Sequence, residues 1–186
     1  MAEPDPGLDL KREQRKIVRN SVYALLLSAV VFATAHLFLP RLIRLGGEDL
    51  ESRLTFWASA NLFVLLWLMY SVRLVSGVRF RSREDNRGSA YSPPSPKIAV
   101  AVANLQNTLE QSVLFMFTQL ALVLLLGDRA PPLVAASVLL FLIGRAAFLR
   151  AYPNGAGARG FGMALTAMPS VFALLLNVGV VIGRLW

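Results

Sequence analysis

Cysteine is absent from the 186 residues and histidine occurs once. The first absence excludes disulfides, thiolate nucleophiles and zinc-thiolate sites, and the second excludes a histidine-rich cluster, so no metal site is expected. Charge is scarce too: 16 % of the residues are charged against 55 % hydrophobic, and the charged ones are gathered into short stretches. A soluble domain of this length needs polar residues along every element to cover its surface, and here they are missing for tens of residues at a time. The formal net charge of +8 does not indicate nucleic acid, because the basic residues flank apolar runs and the mean hydropathy is +0.55. A membrane surface explains that placement, so membrane lipids are expected partners and nucleic acid is not.

A spanning helix needs roughly 20 apolar residues to cross about 30 Å of hydrocarbon. Five runs approach or reach that length. Residues 21–39, 54–72 and 160–183 carry no formal charge, 98–127 carries one, and 130–144 is clean but short, continuing through Arg145 to about Leu149. Their Leu, Ala and Val content, with small residues interspersed, suits packed membrane helices better than strands. The expected fold is therefore all-α, an integral membrane helix bundle.

Lysine and arginine in the connections set the orientation, because positive charge is retained on the cytoplasmic side. With the amino terminus inside, Lys11, Arg12, Arg15, Lys16, Arg19, Arg73, Arg79, Arg81, Arg83, Arg87, Lys97, Arg145, Arg150 and Arg159 lie on the inner side, and Arg41, Arg44, Arg53, Arg129 and Arg184 on the outer, 14 against 5. The expectation is an amino terminus in the cytoplasm and a carboxyl terminus outside. Residues 82–97 read as a flexible inner loop, since Pro93, Pro94 and Pro96 oppose a helix there. Ala33, Thr34 and Ala35 resemble a small-residue cleavage site. The apolar run continues through Leu39 and the charged leader is long for a signal peptide, so the first helix is expected to be kept.

Charged residues at membrane depth cost about 2.5 to 3.5 kcal/mol each, which makes the survivors functional candidates. Glu110 is the clearest. With Asn104, Asn107 and Gln111 it falls within about 120° of arc on one helix face. Counted from the helix ends, Glu110 lies roughly 26 Å and Arg145 roughly 22 Å from the outer side, which predicts an ion pair between antiparallel neighbours. The same stripe also reads as interhelical hydrogen bonding, or as a transport pathway, although no inverted repeat accompanies it. Asn61, Gln119 and Asn177 read as interhelical glue, His36 as interfacial, Trp57, Trp67, Tyr70 and Trp186 as anchors or packing, and Pro169 as a kink. A second group is Arg145, Arg150, Tyr152, Asn154 and Arg159. Arg159 begins the last helix, where free N–H groups and the helix dipole favour an anion such as a carboxylate or thiolate, and a tyrosine hydroxyl adds a donor. These arginines also fit a purely topological role with lipid phosphate as their partner.

The run Asn107-Thr108-Leu109-Glu110-Gln111, followed by Gly144-Arg145, by Tyr152, and by Arg159 seven residues further on, resembles the MAPEG family, the membrane-associated proteins in eicosanoid and glutathione metabolism, and within it the bacterial members. The likeness covers about residues 54–186. It implies a homotrimer of four-helix subunits in a bacterial inner membrane, with glutathione bound between neighbours near the cytoplasmic face and lipophilic small molecules entering from the bilayer. The chain then divides into a cytoplasmic segment at 1–20, an additional transmembrane helix and outer loop at 21–53, and the MAPEG-like four-helix domain at 54–186. The resemblance further implies that Arg159 stabilises the glutathione thiolate with Tyr152 assisting, that Asn107 and Glu110 line or support the glutathione site, and that Arg79 or Arg81 supplies a basic residue from the first loop. Two positions depart from the pattern. Ala103 stands where many members carry an arginine that holds a glutathione carboxylate, and Phe148 stands where a tyrosine or histidine is expected. The reading that follows is a glutathione-dependent transferase or peroxidase acting on lipophilic compounds. The alternative is a non-catalytic lipid-binding or scaffold protein of the same fold, which Ala103 and Phe148 favour.

Overall fold

A computed structural model describes residues 9–43, 45–47, 49–91 and 93–186; Arg44, counted above among the outer charges, and residues 1–8 of the leading segment lie outside the described residues. Five long helices follow one another, α1 (Leu10–Leu42), α2 (Leu50–Arg81), α3 (Pro96–Leu126), α4 (Ala130–Ala151) and α5 (Ala156–Leu185). Single 3-10 turns, Gly127–Arg129 and Tyr152–Asn154, join α3 to α4 and α4 to α5. Four continuous helical stretches are long and apolar enough to cross a membrane, and the third, Pro96–Asn154, contains both α3 and α4 folded back at the Gly127 turn. Gly127 takes a φ of +62°, in the left-handed region that a glycine adopts without strain.

Local chemistry sets the ends. Asp9 and Asp49 cap α1 and α2 by accepting from the backbone N–H groups of Arg12 (3.1 Å) and Ser52 (2.8 Å). Pro96, expected inside a loop, instead opens α3. A proline at the first helical position surrenders an N–H that would have no partner there anyway. The loop before it, expected to be flexible, is stapled at its centre. The Asp85 carboxylate is 4 % exposed and accepts from the Ser95 N–H (2.9 Å), the Ser95 hydroxyl (2.8 Å) and the Ser82 hydroxyl (2.9 Å).

The Ser95 N–H does most to hold the Asp85 carboxyl below its ordinary value of 3.8; burial opposes it and the two hydroxyls assist. A depressed carboxylate stabilises the fold fully above its ordinary pKa, and the contribution is lost as pH falls through the lower folded value. The loop is therefore expected to stay closed from neutral pH down to about pH 4 and to open below it. Asp85→Asn should open it at neutral pH, seen as several-fold faster tryptic cleavage at Arg83 and Arg87. Unchanged cleavage would leave Asp85 without the bracing role.

Helix α4 is the axis of the bundle. It is apolar all round and packs against α1, α2, α3 and α5, whereas α1 lies on α4 and α5, and α2 on α3 and α4. The α4–α5 crossing is made possible by two glycines. A Cβ on Gly144 would stand 2.5 Å from the Thr166 hydroxyl and 2.6 Å from its backbone nitrogen, and one on Gly162 would run into the Phe148 backbone. Such small-residue contacts let membrane helices approach closely where no hydrophobic driving force joins them. On the outside, large apolar side chains face away from the bundle, including Leu66 at 64 % and Phe117 at 70 % exposure, a surface that is stable only against hydrocarbon or further apolar protein.

The expected polar glue is partly realised. Gln119 on α3 donates to the Pro169 carbonyl on α5 (3.4 Å), Asn177 on α5 donates to the Thr118 carbonyl on α3 (3.0 Å), and Asn104 on α3 donates to the Ser71 hydroxyl on α2 (3.2 Å). Asn61 departs from the expectation and donates to the Trp57 carbonyl of its own helix. Each interhelical bond contributes about 0.6 kcal/mol, so these bonds fix register more than they supply stability.

Candidate functional site

Helices α1, α3 and α5 run in one direction and α2 and α4 in the other, so the start of α3, the end of α4 and the first turn of α5 meet at one end of the bundle. A cavity of about 320 Å³ lies there, within the size range of small-molecule sites. Its polar walls are Asn107 from α3, Tyr152 from the turn after α4, and Arg159 from α5. Its apolar walls include Ala103, Phe148 and, from the additional helix, Ile17. The folding chain thus brings together three of the site residues that the resemblance implies, Asn107, Tyr152 and Arg159, and both positions that depart from its pattern.

Arg145 lies behind this wall. It is 0 % exposed, and its guanidinium donates to Asn107 Oδ1 at 2.7 Å. The expected ion pair with Glu110 is not formed. Glu110 is exposed and accepts from Gln106 Nε2 at 2.8 Å, and the ion pair found among the described residues joins Lys16 to Glu13. Similar depth does not suffice for pairing, because the azimuth decides. The inward face of α3 runs through Asn104, Thr108, Gln111 and Phe115, and at 100° per residue Glu110 points about 130° away from it. The predicted stripe therefore splits: Asn104 and Gln111 are buried, Asn107 lies on the flank, and Glu110 faces outward.

Two cations and two rings are stacked behind and along the cavity. The Arg145 guanidinium carbon sits 4.2 Å from the Phe148 ring centre, Phe148 meets Tyr152 edge to face at 5.4 Å, and the Arg159 guanidinium carbon sits 4.4 Å from the Tyr152 ring centre. Each cation–ring contact contributes about 0.5 to 2 kcal/mol. Phe148 is therefore a seat for a buried cation, which a phenylalanine serves as well as a tyrosine. Arg159 is half-buried and its guanidinium donates no hydrogen bond to a described residue, so it enters the cavity with its donors free. It belongs to the first turn of α5, where the backbone N–H groups add positive potential.

The Arg145 contact also fixes how Asn107 is turned. A guanidinium only donates, so the Asn107 atom facing it is the oxygen, and the amide NH2 is left to donate elsewhere. Asn107→Asp should strengthen the bond to Arg145 and keep or raise the melting temperature, while removing that donor and weakening the binding of any anion about tenfold or more. Asn107→Leu should instead lower stability by about 1.5 to 3 kcal/mol, because Arg145 is left without its hydrogen bond. Parallel thermal melts and anion titrations of the two variants separate these effects.

Other predicted residues lie elsewhere. Arg79 donates to the Ser89 hydroxyl (2.7 Å) in the α2–α3 loop, and Arg81 lines a separate open groove with Arg73, Arg83 and Lys97. Within one chain neither reaches the cavity. Arg150 and Asn154 are exposed and stand outside it. The residues that sequence reasoning missed are on α1. Asn20 Nδ2 donates to the Gly157 carbonyl (2.7 Å) and the Glu13 carboxylate accepts from the Gly157 N–H (2.7 Å). The one available signal was the pair Gly157 and Gly160, spaced to let another helix approach the start of α5.

Comparison with protein-family models matches residues 54–179 to the MAPEG family, more than half of the chain, and the chain belongs to that family. The match begins in α2, so α1 lies outside it. No curated protein and no solved structure matches.

Proposed function

We propose that this MAPEG protein is a glutathione-dependent transferase or peroxidase acting on lipophilic compounds, its amino terminus cytoplasmic and its subunits assembled as a homotrimer in the membrane. The observation that carries the reading is the meeting of Asn107, Tyr152 and Arg159 around one cavity at the end of a lipid-exposed bundle. The cavity fits a thiolate: one guanidinium with free donors, an amide NH2, a phenol and the positive end of a helix surround it. Glutathione would supply the thiol that attacks the electrophile or reduces the peroxide. The chain's own work is electrostatic and positional. Arg159 favours the ionised thiol, Tyr152 holds the guanidinium plane by stacking and adds a hydroxyl donor, and Asn107 donates to a carboxylate or carbonyl. Lowering a thiol pKa from about 8.5 by two units requires roughly 2.7 kcal/mol of preference for the anion, the order of one or two charge-assisted hydrogen bonds from a guanidinium.

A second reading has its own support. Ala103 and Phe148 make two walls of the cavity apolar, as suits a non-catalytic lipid-binding or scaffold protein of the same fold. Calorimetry of the detergent-solubilised protein with glutathione separates the two. Saturable binding below millimolar concentration supports the enzyme, and no heat at millimolar glutathione together with binding of a long-chain lipid supports the binder.

A further inference from the structure

Helix α1 is an addition to the matched family region, yet its Ile17 lines the cavity and its Glu13 and Asn20 hold the first turn of α5. Gly157, the second residue of α5, is held from both sides: its N–H donates to Glu13 and its carbonyl accepts from Asn20, each at 2.7 Å. A larger residue would crowd α1 at both glycines. A Cβ at Gly157 would lie 2.7 Å from the Glu13 carboxylate and 2.8 Å from Lys16 Cβ, and one at Gly160 would lie 3.3 Å from the Ile17 backbone. One turn beyond Glu13, Ile17 forms part of the cavity wall. The free N–H groups of a first helical turn are a seat for an anion. In this chain one of those N–H groups, that of Gly157, is taken by a side chain of the same molecule.

We propose that Glu13 is a resident anion that sets the ligand preference of the cavity, so that the site favours thiols with little negative charge and a thiol carrying carboxylates must compete with Glu13 for the start of α5. The inference rests on the thiol reading of Arg159. Among the residues lining the cavity Arg159 is the single cation, so one guanidinium serves the sulfur while the neighbouring helix-terminus donor already has its carboxylate. Lys16, whose ammonium is 2.6 Å from Glu13, neutralises part of that charge but leaves the N–H occupied. The additional helix thereby acts as a specificity wall.

The test uses the full chain and Glu13→Gln, an isosteric change that keeps an acceptor for the Gly157 N–H while removing the charge and the ion pair with Lys16. Calorimetry is run with glutathione and with glutathione diethyl ester, which lacks both carboxylates. The expected result is that Glu13→Gln binds glutathione about tenfold tighter than the parent, while affinity for the diester changes less than about twofold. Equal shifts for both probes, or none, would overturn the proposal. If both probes still bind, and binding is lost in Arg159→Ala, Glu13 is then a helix cap and the thiol reading stands. If neither probe binds either protein, both readings fall.

Discussion

Gly162→Ala is expected to abolish a stable fold, with a loss of at least about 3 kcal/mol. The added methyl would meet the Phe148 nitrogen, the Phe148 Cα at 2.6 Å and the Gly144 carbonyl oxygen at 2.8 Å, all backbone atoms that cannot rotate away. The two helices would have to separate at the turn that carries Phe148 and Arg145, so the cation seat and the cavity would be lost with the crossing. Gly179→Ala and Gly183→Ala are the controls on the same helix. No atom lies within 4 Å of a Cβ at either position, and both are expected to be tolerated. Thermal melts in detergent, with size-exclusion chromatography to count folded protein, check all three. A Gly162→Ala protein that melts like the parent would contradict the described α4–α5 contact.

Arg159→Ala should have the opposite signature, a large loss of activity with little change in stability. Its guanidinium is half-buried, supports no other described residue by a hydrogen bond, and rests on the face of Tyr152. Removing one donor aimed at a developing or resident anion costs about 10² to 10³ in rate. Arg159→Lys should recover part of that loss, because an ammonium keeps the charge but not the planar fork or the stacking on the ring. Initial rates of glutathione conjugation to a lipophilic electrophile, measured beside melting temperatures, read both effects. A variant that loses stability and activity in proportion would assign Arg159 a structural role instead.

The scarcity of charge made the membrane helices legible, and the family resemblance carried by Asn107, Tyr152 and Arg159 led to the residues that meet in the cavity. Counting 1.5 Å per residue brought Glu110 and Arg145 toward one level. Azimuth was not legible. Which side of α3 faces α4 depends on packing partners that a single helix does not reveal, and a turn of about 60° separates Asn107, which meets Arg145, from Glu110, which does not. The α2–α3 loop was misjudged for a related reason. Its prolines signal an irregular backbone, but the bracing by Asp85 comes from Ser95, ten residues away. Helix α1 looked like an appendage because its apolar run carries no mark of a partner. The contacts of Gly157 and Gly160 show where its first turns dock.

The central claim is that the start of α5 ionises a bound thiol, and the ultraviolet difference spectrum of glutathione bound to the purified protein, titrated with pH, tests it most directly. The account predicts thiolate absorbance at neutral pH, with a titration midpoint at least about one unit below that of an ordinary thiol near 8.5, and its disappearance in Arg159→Ala. Bound glutathione that ionises no earlier than the free thiol would contradict it.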